Sequence, residues 1–236
     1  MRNSVKPLLF TLLFILVIPH APSQDAGSGS IVTVEDFFDE LAARYAEIED
    51  YIASITITRG ENVQSGTIYY RRPNRIMVEF DNPADQVMVS NGEVLQVYIP
   101  LYNVVLEQEL REQETDAGTG GAGLATEEGL ALLRRNYSPS FVTGPNPVDL
   151  DESSDEQVVK LLLQWRSTAE GYRQLEIAVN EDLLIRRIAG TTVSYEEVVF
   201  DFTSIRVNQN IPEGQFEYEA DPSANVIRDF LYGGEG

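Results

Sequence analysis

The 236-residue chain contains no cysteine, and its one histidine, His20, lies near the N-terminus. These absences exclude Ser-His-Asp and Cys-His catalysis in the body of the chain, along with a disulfide framework and the usual zinc and copper sites. Cations are scarce as well: 17 Lys and Arg stand against 38 Asp and Glu, a formal net charge of −21. Nucleic-acid binding depends on neutralising phosphates with Lys and Arg, and anionic lipid surfaces attract the same side chains. An acidic excess of this size argues against both. Apolar runs of the roughly 20 residues needed to span a bilayer are also missing. Carboxylate chemistry, a calcium site, or a binding function that needs neither metal nor cofactor remain open.

The N-terminus carries an export signal. Arg2 and Lys6 precede an apolar run over 8–18, and Ala21 and Ser23 stand three and one residues before a cut ahead of Gln24. This is the pattern of a secretory signal peptide over 1–23, the rival reading being an uncleaved membrane anchor. A lipoprotein signal would carry Cys at the cut, and none is there. Losing Arg2 and Lys6 takes the charge from −21 to −23. The remaining 24–236 is long enough for one domain with a sizeable core, and no repeat or internal boundary divides it.

Thr33 and Asp36 form a capping pair ahead of an amphipathic helix in which Val34, Phe37, Phe38, Leu41, Tyr45 and Ile48 recur at helical spacing. After Tyr51 the period changes to two. Ile55 and Ile57 alternate with Thr56 and Thr58, Ile68 and Tyr70 with Tyr69 and Arg71, and Ile76, Val78 and Phe80 with Arg75, Met77 and Glu79. Asn91-Gly92 predicts a hairpin turn between strands 86–90 and 93–99, and a further strand follows over 102–110. A polar, glycine-rich stretch over 112–123 leads to a short amphipathic helix, 126–136, carrying Leu130, Leu132 and Leu133. Strands resume at 140–143, 158–165, 172–180, 183–189 and 193–200, with an acidic run over 149–156 between the first two. The segment 200–218 reads as strand and then loop. The expected fold is α+β, mainly β: a curved antiparallel sheet covered by helices at two places, a natural way to enclose an apolar cavity.

Gly118, Gly120 and Gly123 satisfy the dinucleotide spacing GxGxxG, but a charged stretch precedes them where that motif needs a buried parallel strand. A hinge for the helix that follows is the better reading. Asp149 and Asp151 hint at calcium, yet the positions where an EF-hand loop needs Gly and Glu hold Ser154 and Lys160, so a solvated hairpin loop is expected. Asn136-Tyr137-Ser138 matches a glycosylation acceptor and is uninformative ahead of Pro139. Glu79, Glu107, Glu109, Glu196, Glu197 and Asp201 fall on predicted strands, but spacing alone does not pair them for hydrolysis. Arg72 is the unexpected residue. Period two puts it on the face of Ile68 and Tyr70, and a buried cation is costly unless its donors are satisfied. Either it lies at the rim, where Pro73 ends the strand, or it bonds carbonyls of a covering element.

The run from Gly66 through Arg72-Pro73-Asn74 to Ile76, Val78, Glu79 and Phe80, then Pro83, then Val87 to the Asn91-Gly92 turn, then Leu95 and Tyr98, resembles the LolA family of periplasmic lipoprotein carriers. A second stretch, 200–208 with Ile211-Pro212 and Phe216, is similar to the same family, and the order of elements agrees. The resemblance spans nearly the whole exported chain and implies an incomplete antiparallel barrel whose open side is closed by helices. It also implies a periplasmic carrier rather than an enzyme, a monomer without cofactor or metal. Such a carrier takes acylated lipoproteins from an ATP-driven inner-membrane release complex and passes them to an outer-membrane receptor.

Carried over to this chain, Arg72 becomes a latch bonded to lid backbone, and 125–137 becomes the lid, with Leu130 and Leu133 toward the cavity. Ile55, Ile57, Ile68, Tyr70, Ile76, Val78, Phe80, Val87, Val89, Leu95 and Val97 become the acyl-chain lining. Ile76 and Val78 stand where the family often has an aromatic, the glycine-rich stretch is long, and the acidic loop looks like an elaboration. Two rivals stay open: a carrier or sensor of another amphiphilic lipid using the same half-barrel, and a structural envelope module with no lipid cavity.

Overall fold

The computed structural model describes residues 32–110, 120–167, 171–219 and 221–229; the signal reading of 1–23 and part of the glycine-rich stretch lie outside them. Helix α1 (Val34–Ala46) begins where the capping pair puts it. The Thr33 hydroxyl accepts from the Asp36 amide at 3.1 Å, and the Asp36 carboxylate accepts from the Thr33 amide at 3.3 Å, so two donors at the helix start are satisfied reciprocally. Its apolar stripe of Phe37, Phe38, Leu41 and Tyr45 is buried, and Ile48 extends the stripe just past the helix end.

Strands β1 (Asp50–Arg59), β2 (Asn62–Arg71), β3 (Arg75–Asn82), β4 (Val87–Ser90), β5 (Val94–Ile99) and β6 (Val104–Glu109) form an antiparallel meander. Helix α2 (Glu127–Asn136) follows, then β7 (Tyr137–Phe141), β8 (Val148–Asp149), β9 (Gln157–Trp165), β10 (Tyr172–Val179), β11 (Ile185–Thr192), β12 (Glu197–Val207) and β13 (Asn225–Arg228). β12 pairs with β1, which joins the two halves into one open, curved sheet of 13 strands with β13 at one end and β7 at the other. No helix among the described residues is long and apolar enough to cross a membrane.

The fold class stands, with local corrections. The sheet is not wholly antiparallel: β13, which the sequence pattern did not reveal, runs parallel to β6. The strand expected over 193–200 is a hairpin turn at its start, and Phe200 lies in the middle of a single long strand. The strand expected at 140–143 begins at Tyr137, directly after α2. The acidic run is the expected hairpin loop, between β8 and β9, and its Asp151 and Glu156 carboxylates are paired. Arg186 forks onto Glu156 at 2.6 and 3.0 Å, and Arg187 bridges Asp151 at 3.0 Å and Asp201 at 2.5 Å.

Residues paired directly across antiparallel strands share a face of the sheet. One row runs Tyr51, Tyr70, Ile76, Ser90, Leu95, Gln108; the next runs Ala53, Ile68, Val78, Met88, Val97, Leu106. This inner face continues through Phe202, Phe200, Ile188, Ile177 and Leu161 and packs against both helices as the main core. A second, smaller core lies on the outer face, where Met77 and Val89 meet Ile211 and Phe216. Buried Asp50 ties this tail down by accepting the Gln209 and Ile211 amides at 2.5 and 3.0 Å.

Candidate functional site: a latched lid on the inner face

Helix α2 is the covering element expected at 125–137. Thr126 caps it: the hydroxyl accepts from the Gly129 amide at 3.0 Å and donates to the Gly123 carbonyl at 2.7 Å. Leu130 and Leu133 are fully buried in the main core. A Cβ at Gly129 would stand 2.2 Å from the Gly123 carbonyl oxygen. The first turn of α2 therefore packs backbone on backbone against the 3-10 turns of Gly120–Ala125. In its described part, the glycine-rich stretch is a close-fitting support for the lid and not a free hinge.

Arg72 sits at the seam between the two helices. Nη1 donates to the carbonyl of Ala46, the last residue of α1, at 2.7 Å, and Nη2 lies 2.8 Å from the carboxylate of Glu127, the first residue of α2. Glu49 stands 3.6 Å away. The side chain is 30% exposed, so the two readings left by the strand pattern merge: it is at the rim and it is bonded. The guanidinium answers an open carbonyl at the negative end of α1 and ties that end to the lid. The bond to lid backbone that the resemblance implied goes instead to α1 backbone; the lid is reached through a side chain. The residue types suit the exchange, since Glu127 in a first helical turn offers a charged acceptor, whereas carbonyls within the helix already accept amides of the next turn.

Behind Arg72, the Tyr70 hydroxyl donates to Glu128 at 2.9 Å. Burial, and then the Glu128 carboxylate, push this phenol well above its ordinary 10.0, which keeps it a donor. Neither Glu127 nor Glu128 was singled out by the sequence, because acidic residues in a first turn are ordinary. At the far end of the lid, Arg134 pairs with Asp39 of α1, and the Tyr137 hydroxyl donates to the Tyr172 carbonyl at 2.9 Å. Tyr45 pins α1 to the sheet by accepting the Ile185 amide at 3.0 Å.

Ile55, Ile68, Tyr70, Ile76, Val78 and Phe80 lie together in the main core, with Ile57 packed at its margin. Leu95 and Val97 share that face by register. Val87 and Val89 do not. Four residues separate Ser90 from its partner Leu95, so even positions on β4 face the same way as odd positions on β5. Met88 and Ser90 therefore point inward, and Val87 and Val89 belong to the outer-face core. The inward residues of β9 to β12 were missed because the resemblance drew attention to the first meander.

Among the described residues, a space beneath Ala125, bounded by Tyr45, Ile48, Tyr51 and Phe202, is about 10 Å³, room for about one water. Larger grooves, about 480 and 550 Å³, open on the outer face among mainly polar side chains.

Residues 56–120 match the family described as outer membrane lipoprotein carrier protein LolA. The outer-membrane lipoprotein carrier protein of Bordetella avium (strain 197N) is 24% identical over 201 residues, covering 80% of this chain and 86% of the relative. That of Hahella chejuensis (strain KCTC 2396) is 24% identical over 197 residues, covering 81% and 88%. Over residues 56–120 the chain is similar to the LolA family. An uncharacterized conserved protein from Thermus thermophilus has the same fold, with a TM-score of 0.54 at 14% identity over 80% of this chain and 98% of that one. The matched segment runs from β1 past β6 and includes Arg72, whereas α2 with Glu127 and Glu128 lies beyond it.

Proposed function

We propose that this protein, similar to the LolA family over 56–120, is a periplasmic carrier that encloses the acyl chains of lipoproteins and shuttles them from the inner to the outer membrane. The observation that carries the reading is an apolar sheet face covered by a helix whose N-terminal end is held to β2 by polar contacts, Arg72–Glu127 and Tyr70–Glu128. A cover held in this way can leave and return. Exposing Leu130 and Leu133 costs about 3–6 kcal/mol, at about 1.5–3 kcal/mol for each side chain. Enclosing an acyl chain gains about 0.8 kcal/mol per CH2, or about 10 kcal/mol for roughly a dozen methylenes. One chain therefore more than offsets the displaced leucines, and on release the lid side chains refill the space. Cargo shifts the population toward the open lid by that difference.

The cargo is an acylated lipoprotein, accepted from an ATP-driven inner-membrane release complex and delivered to an outer-membrane receptor. An export signal over 1–23 supports a position between them, and the net charge of −23 after its removal keeps the carrier off anionic lipid surfaces. Native mass spectrometry of the exported chain with one lipoprotein in acylated and non-acylated form tests the reading. A one-to-one complex with the acylated form alone is expected; complexes with neither form would reject acyl-chain carriage. Arg72→Ala is expected to fold and to impair loading or handover, and normal transfer by that variant would remove Arg72 from the latch.

A further inference from the structure

Among the described residues, the Tyr51 hydroxyl is the buried side-chain polar atom that has no hydrogen-bond partner. Tyr51 is 3% exposed and faces inward from β1, its ring 5.2 Å from that of Tyr70. The neighbouring phenols differ in this respect. Tyr70 donates to Glu128 and Tyr45 accepts from Ile185, so the three are alike in burial and unlike in satisfaction. Native interiors rarely leave a hydroxyl unpaired, because the desolvated group has lost its water without replacement. Tyr51 borders the small interior space under Ala125, and Ile48, Leu184, Ile185 and Phe202 around it bring no polar side-chain atom.

We propose that Tyr51 is the polar anchor of the acyl-chain site, its hydroxyl donating to the ester carbonyl oxygen at the head of an acyl chain once the lid has opened. The proposal rests on the carrier reading. An acyl ester joins one acceptor to a long apolar tail, which is the complement of one donor set in an apolar wall. The position suits that ligand. Ala125 precedes the lid helix, and Tyr45 and Ile48 flank the end of α1 that Arg72 holds. The ester therefore lies beside the latch and the tail runs along Ile68 and Val78. Surface burial alone would not distinguish an ester from a hydrocarbon, whereas a directed donor does.

The test compares methyl laurate with pentadecane, which have the same number of non-hydrogen atoms, each competing against a fluorescent apolar probe on the exported chain and on Tyr51→Phe. The ester-to-alkane affinity ratio should be about fivefold or more higher in the wild type than in Tyr51→Phe, the effect of one hydrogen bond, because comparing the two proteins cancels the greater hydrophobic gain of the alkane. Tyr51→Phe should have a thermal midpoint equal to or above that of the wild type, since the substitution removes a group without a partner. An unchanged ratio in Tyr51→Phe overturns the anchor while leaving acyl carriage intact. Failure of either ligand to displace the probe would reject the carrier reading and the anchor with it.

Discussion

Removing the Tyr70 hydroxyl should loosen the lid more than removing the Arg72 side chain, although Arg72 is the more conspicuous residue. Arg72 and Glu127 are about one-third exposed, and ion pairs of that kind contribute about 0.2–1 kcal/mol. The stronger bond Arg72 makes, to the Ala46 carbonyl, ends on α1 and does not oppose movement of α2. Tyr70 is 1% exposed and donates to a carboxylate on the lid itself. A hydrogen bond to a charged group contributes about 1.5–3 kcal/mol. The leucine pair beneath outweighs both, so neither substitution opens the lid outright. Tyr70→Phe should raise the open fraction roughly 10- to 150-fold, and Arg72→Ala by no more than about fivefold. Native-state hydrogen exchange of the α2 amides reads these ratios, with β9 and β10 amides as the internal reference. A larger effect for Arg72→Ala would refute the ranking. Equal acceleration in α2 and in the sheet would show global loss of stability and no separate lid motion.

Gly129→Ala tests the close packing under the lid. Alanine improves helix propensity by about 1 kcal/mol, but its Cβ meets Gly123 and Leu124 backbone at 2.2 and 2.6 Å, and overpacking of this sort costs about 1–3 kcal/mol. The thermal midpoint should fall and acyl-probe uptake should quicken; a raised midpoint would contradict the contact. Burial pushes the phenols of Tyr45, Tyr51 and Tyr70 above their ordinary 10.0. With the folded values raised, the stability they contribute is complete below the ordinary value and is lost as pH climbs beyond it through the folded ones. Phenolate absorbance from these rings should therefore appear only together with loss of β-sheet circular dichroism, and full ionisation of all tyrosines in an intact fold would be the contrary result. The two sheet faces can be told apart with Val78→Thr and Val89→Thr. Each buries a hydroxyl and costs about 1–3 kcal/mol of stability; acyl-probe affinity should fall only for Val78→Thr, and an equal fall in both would place Val89 in the lining after all.

Much of the fold was legible because its signals are local. The Thr33–Asp36 cap, the helical recurrence of Phe37, Phe38, Leu41 and Tyr45, the two-residue alternation of β1 to β3 and the Asn91-Gly92 turn each depend on residues within a turn or a strand of one another. The lid was legible for the same reason, as a short amphipathic stretch carrying Leu130 and Leu133. Where a reading required counting across a turn, it failed. Val87 and Val89 were apolar and alternating, and only the parity of the β4–β5 loop sends them to the outer face. β13 was invisible because four residues, all exposed, form a strand only against the edge that β6 offers.

The sequence by itself settled most of the secondary structure, the apolar stripes and the anomaly of a cation at Arg72, all properties of spacing along the chain. The tertiary structure alone decided what those residues meet. Arg72 lies 55 positions from Glu127 and Tyr70 lies 58 from Glu128, and no periodicity relates residues so far apart. It also decided that Tyr51, Tyr45 and Tyr70, three aromatics of equal promise in the sequence, differ in whether their hydroxyls find partners. Burial follows from a pattern that each element carries within itself. Partnership depends on strand register and on which element covers which face, and those exist only once the sheet has assembled.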